Sequence, residues 1–167
     1  MGVNETSKVL FVCLGNICRS PMAEAVMRHL AAQQGWSDAI EVDSAGTGDW
    51  HLGHPPHEGT RSLLDRQGIS YEGMKARLVT GGDYHLFDYI VCMDSKNLRD
   101  AREVFQEASA NGGEDGPSIF AFMDLLPGRG FADVPDPYYS GNFDEVYELV
   151  EAGCKVLLER IKEERRV

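Results

Sequence analysis

Cys13 and Arg19 are separated by Leu14-Gly15-Asn16-Ile17-Cys18, and Ser20-Pro21 follows at once. A loop this short can turn successive backbone N–H groups onto one centre and form an anion nest. A helix starting at Ser20-Pro21 adds unpaired N–H groups and the positive end of its dipole, since Ser suits an N-cap and Pro the first turn. A cysteine at the base of that field is a candidate thiolate. Its free pKa near 8.5 can fall to about 3.5–7.5 in such surroundings. Arg19 on the far rim can hold two phosphate oxygens at once, as a lysine cannot. Gly15 permits an unusual backbone angle, and Asn16 tolerates the left-handed region and can hydrogen-bond across the loop. The Ser20 hydroxyl can donate to the Cys13 thiolate. The loop lacks GK[ST] and GxGxxG, which removes the nucleotide and dinucleotide phosphate motifs. A cysteine closing a buried strand usually only packs; its place before Gly, Asn and a Ser-Pro helix start makes Cys13 a nucleophile candidate.

A thiolate that cleaves a phosphate ester needs a proton donor for the leaving oxygen. Asp136-Pro137-Tyr138-Tyr139 supplies a candidate. Pro137 biases Asp136 towards extended backbone. Two adjacent tyrosines in an irregular segment suit the lining of a slot. Taken alone, the four residues read equally as a turn with half-buried rings.

The elements that position these groups alternate. Lys8–Cys13 is apolar almost throughout, as a strand buried on both faces is. A helix follows from Ser20, with Met22, Val26, Met27 and Leu30 as its stripe and Gly35 as its stop. Residues 40–44 read as a second strand, 57–67 as a helix ended by Gly68, and 88–93 as a third strand. Asp94 or Ser95 caps a helix to about Ala108, residues 109–117 form a Gly-rich loop, and 119–123 form the fourth strand. Residues 126–137 are irregular. Val146, Leu149, Val150, Cys154, Leu157, Leu158 and Ile161 mark a final helix. Strands alternating with helices imply right-handed crossovers and a parallel sheet covered on both faces. The expectation is an α/β, small doubly wound three-layer sandwich with about five helices. Its ligand lies beyond the strands' carboxyl ends, next to Cys13, Ser44, Met93 and Met123.

The 167 residues suit one domain, 1–167, with 1–7 as a flexible N-terminus. A net charge of -11 argues against nucleic acid and anionic membrane as partners. An anionic substrate must then be caught by a local positive field. Four unevenly spaced cysteines with no CxxC make neither a disulfide framework nor a zinc ribbon. No apolar run approaches the ~20 residues of a membrane span, and no signal sequence is evident. The chain reads as cytoplasmic. Gly2 and Thr6 match the myristoylation pattern, but no basic cluster supplies a second anchor.

Together the two motifs resemble the low-molecular-weight protein tyrosine phosphatases. The resemblance runs through residues 9–24, Asp43-Ser44-Ala45-Gly46-Thr47, residues 87–94, Asn97-Leu98 and Asp136-Pro137-Tyr138-Tyr139, nearly the whole chain. It implies a four-stranded parallel sheet of order 2-1-3-4 and cofactor-free, metal-free hydrolysis of phosphotyrosine in proteins. Cys13 would be the nucleophile, Arg19 the phosphate clamp and Asp136 the general acid, then base. Phosphate-like oxyanions would inhibit. Ser20 would help the thiolate leave, and Asn16, held by Ser44, would keep the loop in shape. Leu14, Ile17, Trp50 and Tyr138 would wall the slot, with Gly15 and Tyr139 beside them. Cys18 would form a disulfide with Cys13 that spares it from irreversible oxidation.

The pattern departs at Met74, where many relatives carry histidine, so Asp94 reads as structural. His51, His54 and His57 flank the slot as loop histidines that tune substrate choice rather than as metal ligands. Cys92 and Cys154 read as packing. Arsenate reductases share the first loop but need relay cysteines between about 78 and 90, where this chain has none. Protein-arginine phosphatases favour Thr at the position of Ile17 and lack the paired tyrosines. A phosphopeptide-binding module would be expected to lose Cys13 or Asp136. A flavodoxin-like redox protein rests on fold alone.

Overall fold

The computed structural model describes residues 6–111 and 116–166. Gly2 and most of the expected flexible N-terminus lie outside them. Ser7 does not belong to that tail: it opens β1 (Ser7–Cys13), and its N–H donates to the Ala39 carbonyl at 2.8 Å. β2 (Ile40–Gly46), β3 (Tyr89–Cys92) and β4 (Ser118–Ala121) complete a four-stranded, all-parallel sheet of order β2-β1-β3-β4. Fold class and strand order are those expected.

The strands alternate their side chains, so β1 builds two cores. Val9, Phe11 and Cys13 face one side, packed with α1 (Arg19–Gln33), α2 (Glu58–Gln67) and α6 (Phe143–Arg166). Leu10 and Val12 face the other, against Ala101 and Phe105 of α4 (Ser95–Asn111). This places Cys13 on the α1 side of the sheet's carboxyl edge. α2 is capped by His57, whose Nδ1 accepts from the Gly59 N–H at 2.9 Å, and it stops at left-handed Gly68.

Two single-turn helices were not foreseen: α3 (Asp83–Leu86) and α5 (Pro137–Ser140). With the four helices located in the sequence they make six among the described residues, against the expected total of about five. Four residues carry no helical periodicity, so only their caps announce them. The Gly-rich loop begins later than expected, because α4 runs on to Asn111; residues 112–115 lie outside the described residues. The fourth strand ends at Ala121, not Met123. Phe122–Leu125 winds into a 3-10 turn with Phe122, Met123 and Leu125 buried.

Candidate active site

Cys13 ends β1, and α1 begins at Arg19, one residue before the expected start. Ser20 is therefore not the cap; Cys18 holds that position and caps with no side-chain bond. Helical side chains lean towards the N-terminus. Ser20 accordingly points back, and its Oγ lies 2.9 Å from Cys13 Sγ.

Asn16 adopts φ 58°, the one left-handed non-glycine residue among those described. Its side chain holds the loop in that shape. Oδ1 accepts from the Arg77 N–H at 2.9 Å, and Nδ2 donates to Ser20 Oγ at 2.8 Å and Ser44 Oγ at 2.9 Å. Ser44 in turn donates to Glu24 Oε1 at 2.6 Å, and Glu24 pairs with Arg28. Burial pushes the Glu24 carboxyl above its usual range, opposed by the Ser44 hydroxyl and Arg28. The loop lies tightly on the end of β2: a Cβ at Gly46 would stand 2.7 Å from the Leu14 carbonyl oxygen.

Arg19 is 2% exposed. Nη1 donates to Asp94 Oδ2 at 2.7 Å and to the Val134 carbonyl at 3.1 Å; Nη2 lies 3.5 Å from Asp136 Oδ2. Burial opposes its charge, but Cys13, Asp94 and Asp136 more than offset that and push its titration upward. Cys18 goes the opposite way for function. Burial first, then the negative charge of Cys13 and Asp136, pushes its thiol up to about 12.

Asp136 caps α5, accepting from the Tyr138 N–H at 3.1 Å on Oδ1, which leaves Oδ2 on the Arg19 side. Its backbone is extended, as Pro137 requires. Tyr138 sits 6.1 Å from His51 and 5.7 Å from His57, ring centre to ring centre, and His57 stacks on Phe143. Trp50 is 68% exposed, yet its ring lies on Gly48, where a Cβ would come within 1.8 Å of it.

These groups enclose a pocket of about 340 Å³. It is lined by Cys13, Leu14, Gly15, Ile17, Cys18 and Arg19 of the loop and helix start, and by Trp50, His51, Asp136, Tyr138 and Tyr139. The sequence-predicted residues thus converge, except that Asn16, Ser20 and Ser44 lie buried beneath the loop as its scaffold. Among the described residues, no three His, Cys, Asp or Glu side chains gather as a metal ion would need. Two residues carry more than the sequence reading allowed. His51 is part of the wall rather than a flank, and Asp94 reaches Arg19. Asp94 follows Met93, which the carboxyl-edge rule had marked as a strand end and which lies one residue past the observed end of β3.

The arrangement can seat a tetrahedral oxyanion on main-chain N–H groups and a fixed guanidinium, with a sulfur below and a carboxyl at the rim. Comparison with known proteins agrees. Residues 8–167 match the family model of the low molecular weight phosphotyrosine protein phosphatases. The low molecular weight protein-tyrosine-phosphatase YfkJ of Bacillus subtilis is 50% identical over 159 residues, covering 95% of this chain and 98% of the relative. Its crystal structure superposes with a TM-score of 0.89 at 49% identity, covering 98% of this chain and 99% of that one. PtpA of Staphylococcus epidermidis, of the same description, is 43% identical over 92% of each chain. A Drosophila arginine phosphatase shares the fold at TM-score 0.81 and 31% identity, covering 93% of this chain and 98% of its own. The chain belongs to the low-molecular-weight protein-tyrosine-phosphatases, a family of hydrolases.

Proposed function

We propose that the protein hydrolyses phosphotyrosine in proteins through a phosphocysteine intermediate, with no metal or cofactor in any step. The observation that carries this is the convergence of Cys13, Arg19 and Asp136 on one aromatic-walled pocket. The loop amides and Arg19 hold the three equatorial oxygens, where charge shifts in the transition state. Cys13 sulfur attacks phosphorus in line. The bond to the tyrosyl oxygen breaks, and protonated Asp136 gives that oxygen its proton. Asp136, now a carboxylate, takes a proton from water as the water attacks the phosphocysteine. The sulfur leaves as a thiolate, accepting a hydrogen bond from Ser20, and phosphate departs. Trp50 and Tyr138 clasp a flat phenyl ring and give a depth that phosphoserine does not span.

The same reading takes 1–167 as one phosphatase domain, places it in the cytoplasm, and makes phosphate-like oxyanions inhibitors. Four free cysteines support the compartment, and no described helix is long and apolar enough to cross a membrane. The test is parallel kinetics on phosphotyrosine, phosphoserine and phosphoarginine peptides, with arsenate reduction as a control. Phosphotyrosine should be turned over best, and a chelator should leave the rate unchanged. Faster phosphoarginine cleavage, arsenate reduction, or loss of activity in chelator would overturn the reading.

A further inference from the structure

Glu24 is a buried carboxylate, 3% exposed, that no step above uses. The hydrogen bonds leading to it run in one direction. The Arg77 backbone N–H can only donate, so the Asn16 atom it meets is the carbonyl oxygen, and the amide nitrogen faces Ser20 and Ser44. That nitrogen can only donate, so both serine oxygens accept from it. The Ser44 hydrogen is then directed to Glu24 Oε1 at 2.6 Å, which must accept. The Ser20 hydrogen has the Cys13 sulfur, 2.9 Å away, as its partner. Arg28, on the next turn of α1, engages the other Glu24 oxygen and the Val42 carbonyl, which favours the charged carboxylate against its burial and leaves Oε1 to Ser44. Arg77 also favours that charge, and Asp43 opposes it.

We propose that the Glu24 carboxylate, held by Arg28, is a positioning group that takes the Ser44 hydrogen, keeps Ser44 an acceptor for Asn16, and so steadies the amide that the Arg77 N–H has oriented onto Ser20. The last hydroxyl therefore donates to Cys13 whenever its sulfur is an anion. The inference rests on the proposed phosphatase reaction. There the sulfur is anionic twice, as nucleophile and as leaving group, and a charge-assisted hydrogen bond strengthens with each.

In Glu24→Gln, Arg28 claims the amide oxygen, and the amide nitrogen is turned to Ser44. Ser44 then accepts from two sides, and its own hydrogen has no acceptor. With p-nitrophenyl phosphate, kcat should fall about tenfold with KM within about twofold, as for an interaction made mainly in the transition state. The pH profile of Cys13 alkylation by iodoacetate should move up by about one unit, since a tenfold loss corresponds to one unit of differential stabilisation. Adding Arg28→Met frees the amide oxygen to turn back to Ser44 and should recover most of both losses. Rescue by removing a cation is not expected of a residue that merely fills space. A Glu24→Gln chain with native kcat and profile, or one that Arg28→Met does not relieve, would overturn the proposal. Should Glu24→Gln fail to fold, Arg28→Met alone carries the test. Without Arg28, burial pushes Glu24 further up, so the rise of kcat with pH should move to higher pH than in the native chain, and a profile parallel to native would refute the idea. Native turnover of phosphotyrosine is measured alongside: its absence sinks the phosphatase reading, whereas native turnover with unaffected variants sinks only this inference.

Discussion

Arg19 Nη1 donates to Asp94 Oδ2 at 2.7 Å, from the first turn of one helix to the residue preceding another. The same guanidinium has a second anchor in the Val134 carbonyl. The side chain proposed to grip phosphate is thus oriented by the protein, so that binding would cost less ordering. Asp94 also caps α4, accepting from the Asn97 N–H at 2.7 Å on its other oxygen.

Asp94→Asn separates those two tasks, because asparagine caps as well as aspartate does. Thermal stability should hold while the Arg19 clamp loosens. Inhibition by inorganic phosphate should weaken about tenfold, the scale of a hydrogen bond to a charged group. Unchanged phosphate inhibition would show that Arg19 needs no such anchor.

Cys13→Ser should abolish turnover while phosphate still protects the chain from thermal unfolding. Asp136→Ala should slow aryl phosphate cleavage by about 10²–10⁴-fold, and less for good leaving groups, which need no proton. Equal loss across a leaving-group series would remove the acid role from Asp136.

The thiols should divide sharply. Cys18 and Cys92 are both pushed up to about 12, in each case chiefly by burial. Both therefore stay protonated, and inert to alkylation, at every pH below that region. Iodoacetate near pH 7 should leave a single adduct, on Cys13, by peptide mapping. Peroxide should inactivate reversibly through a Cys13–Cys18 disulfide; a Cys18→Ser chain that recovers equally well with reductant would exclude that protection.

Gly48 offers a test of the aromatic wall without touching it. A methyl there would occupy the place of the Trp50 ring. Gly48→Ala should raise KM for phosphotyrosine peptides several-fold, much as Trp50→Ala does, and leave phosphate inhibition alone. Identical KM values would mean that Trp50 lies outside the substrate path.

Local chemistry was the legible part. The Cys13-to-Pro21 run announced its loop because strand composition, Gly, Asn and a Ser-Pro start follow in order, and the structure seats Cys13 and Arg19 as that order implies. Asp136 was readable as a rim residue but not as a cap, since α5 lasts a single turn. What stayed hidden depends on distance along the chain. The Arg19–Asp94 pair joins residues 75 positions apart. Nothing at Glu24, in the middle of an apolar helix stripe, distinguishes a buried carboxylate from a solvated one. Strand ends blurred for another reason: Met123 is as apolar as β4, and only the turn at Phe122 separates them.

Val134 shows what kind of movement Asp136, the proposed general acid, is permitted. Its N–H donates to the Met93 carbonyl at 2.9 Å, and its carbonyl receives Arg19, so the backbone of this one buried residue is tied to the end of β3 and to the Arg19 guanidinium together. Asp133, which accepts from the Ser95 N–H and hydroxyl, adds a third tie, so motion upstream of it need not carry Asp136 along. The carboxylate proposed to give up the proton thus stays moored two residues from a fixed point, however the outer bank sways.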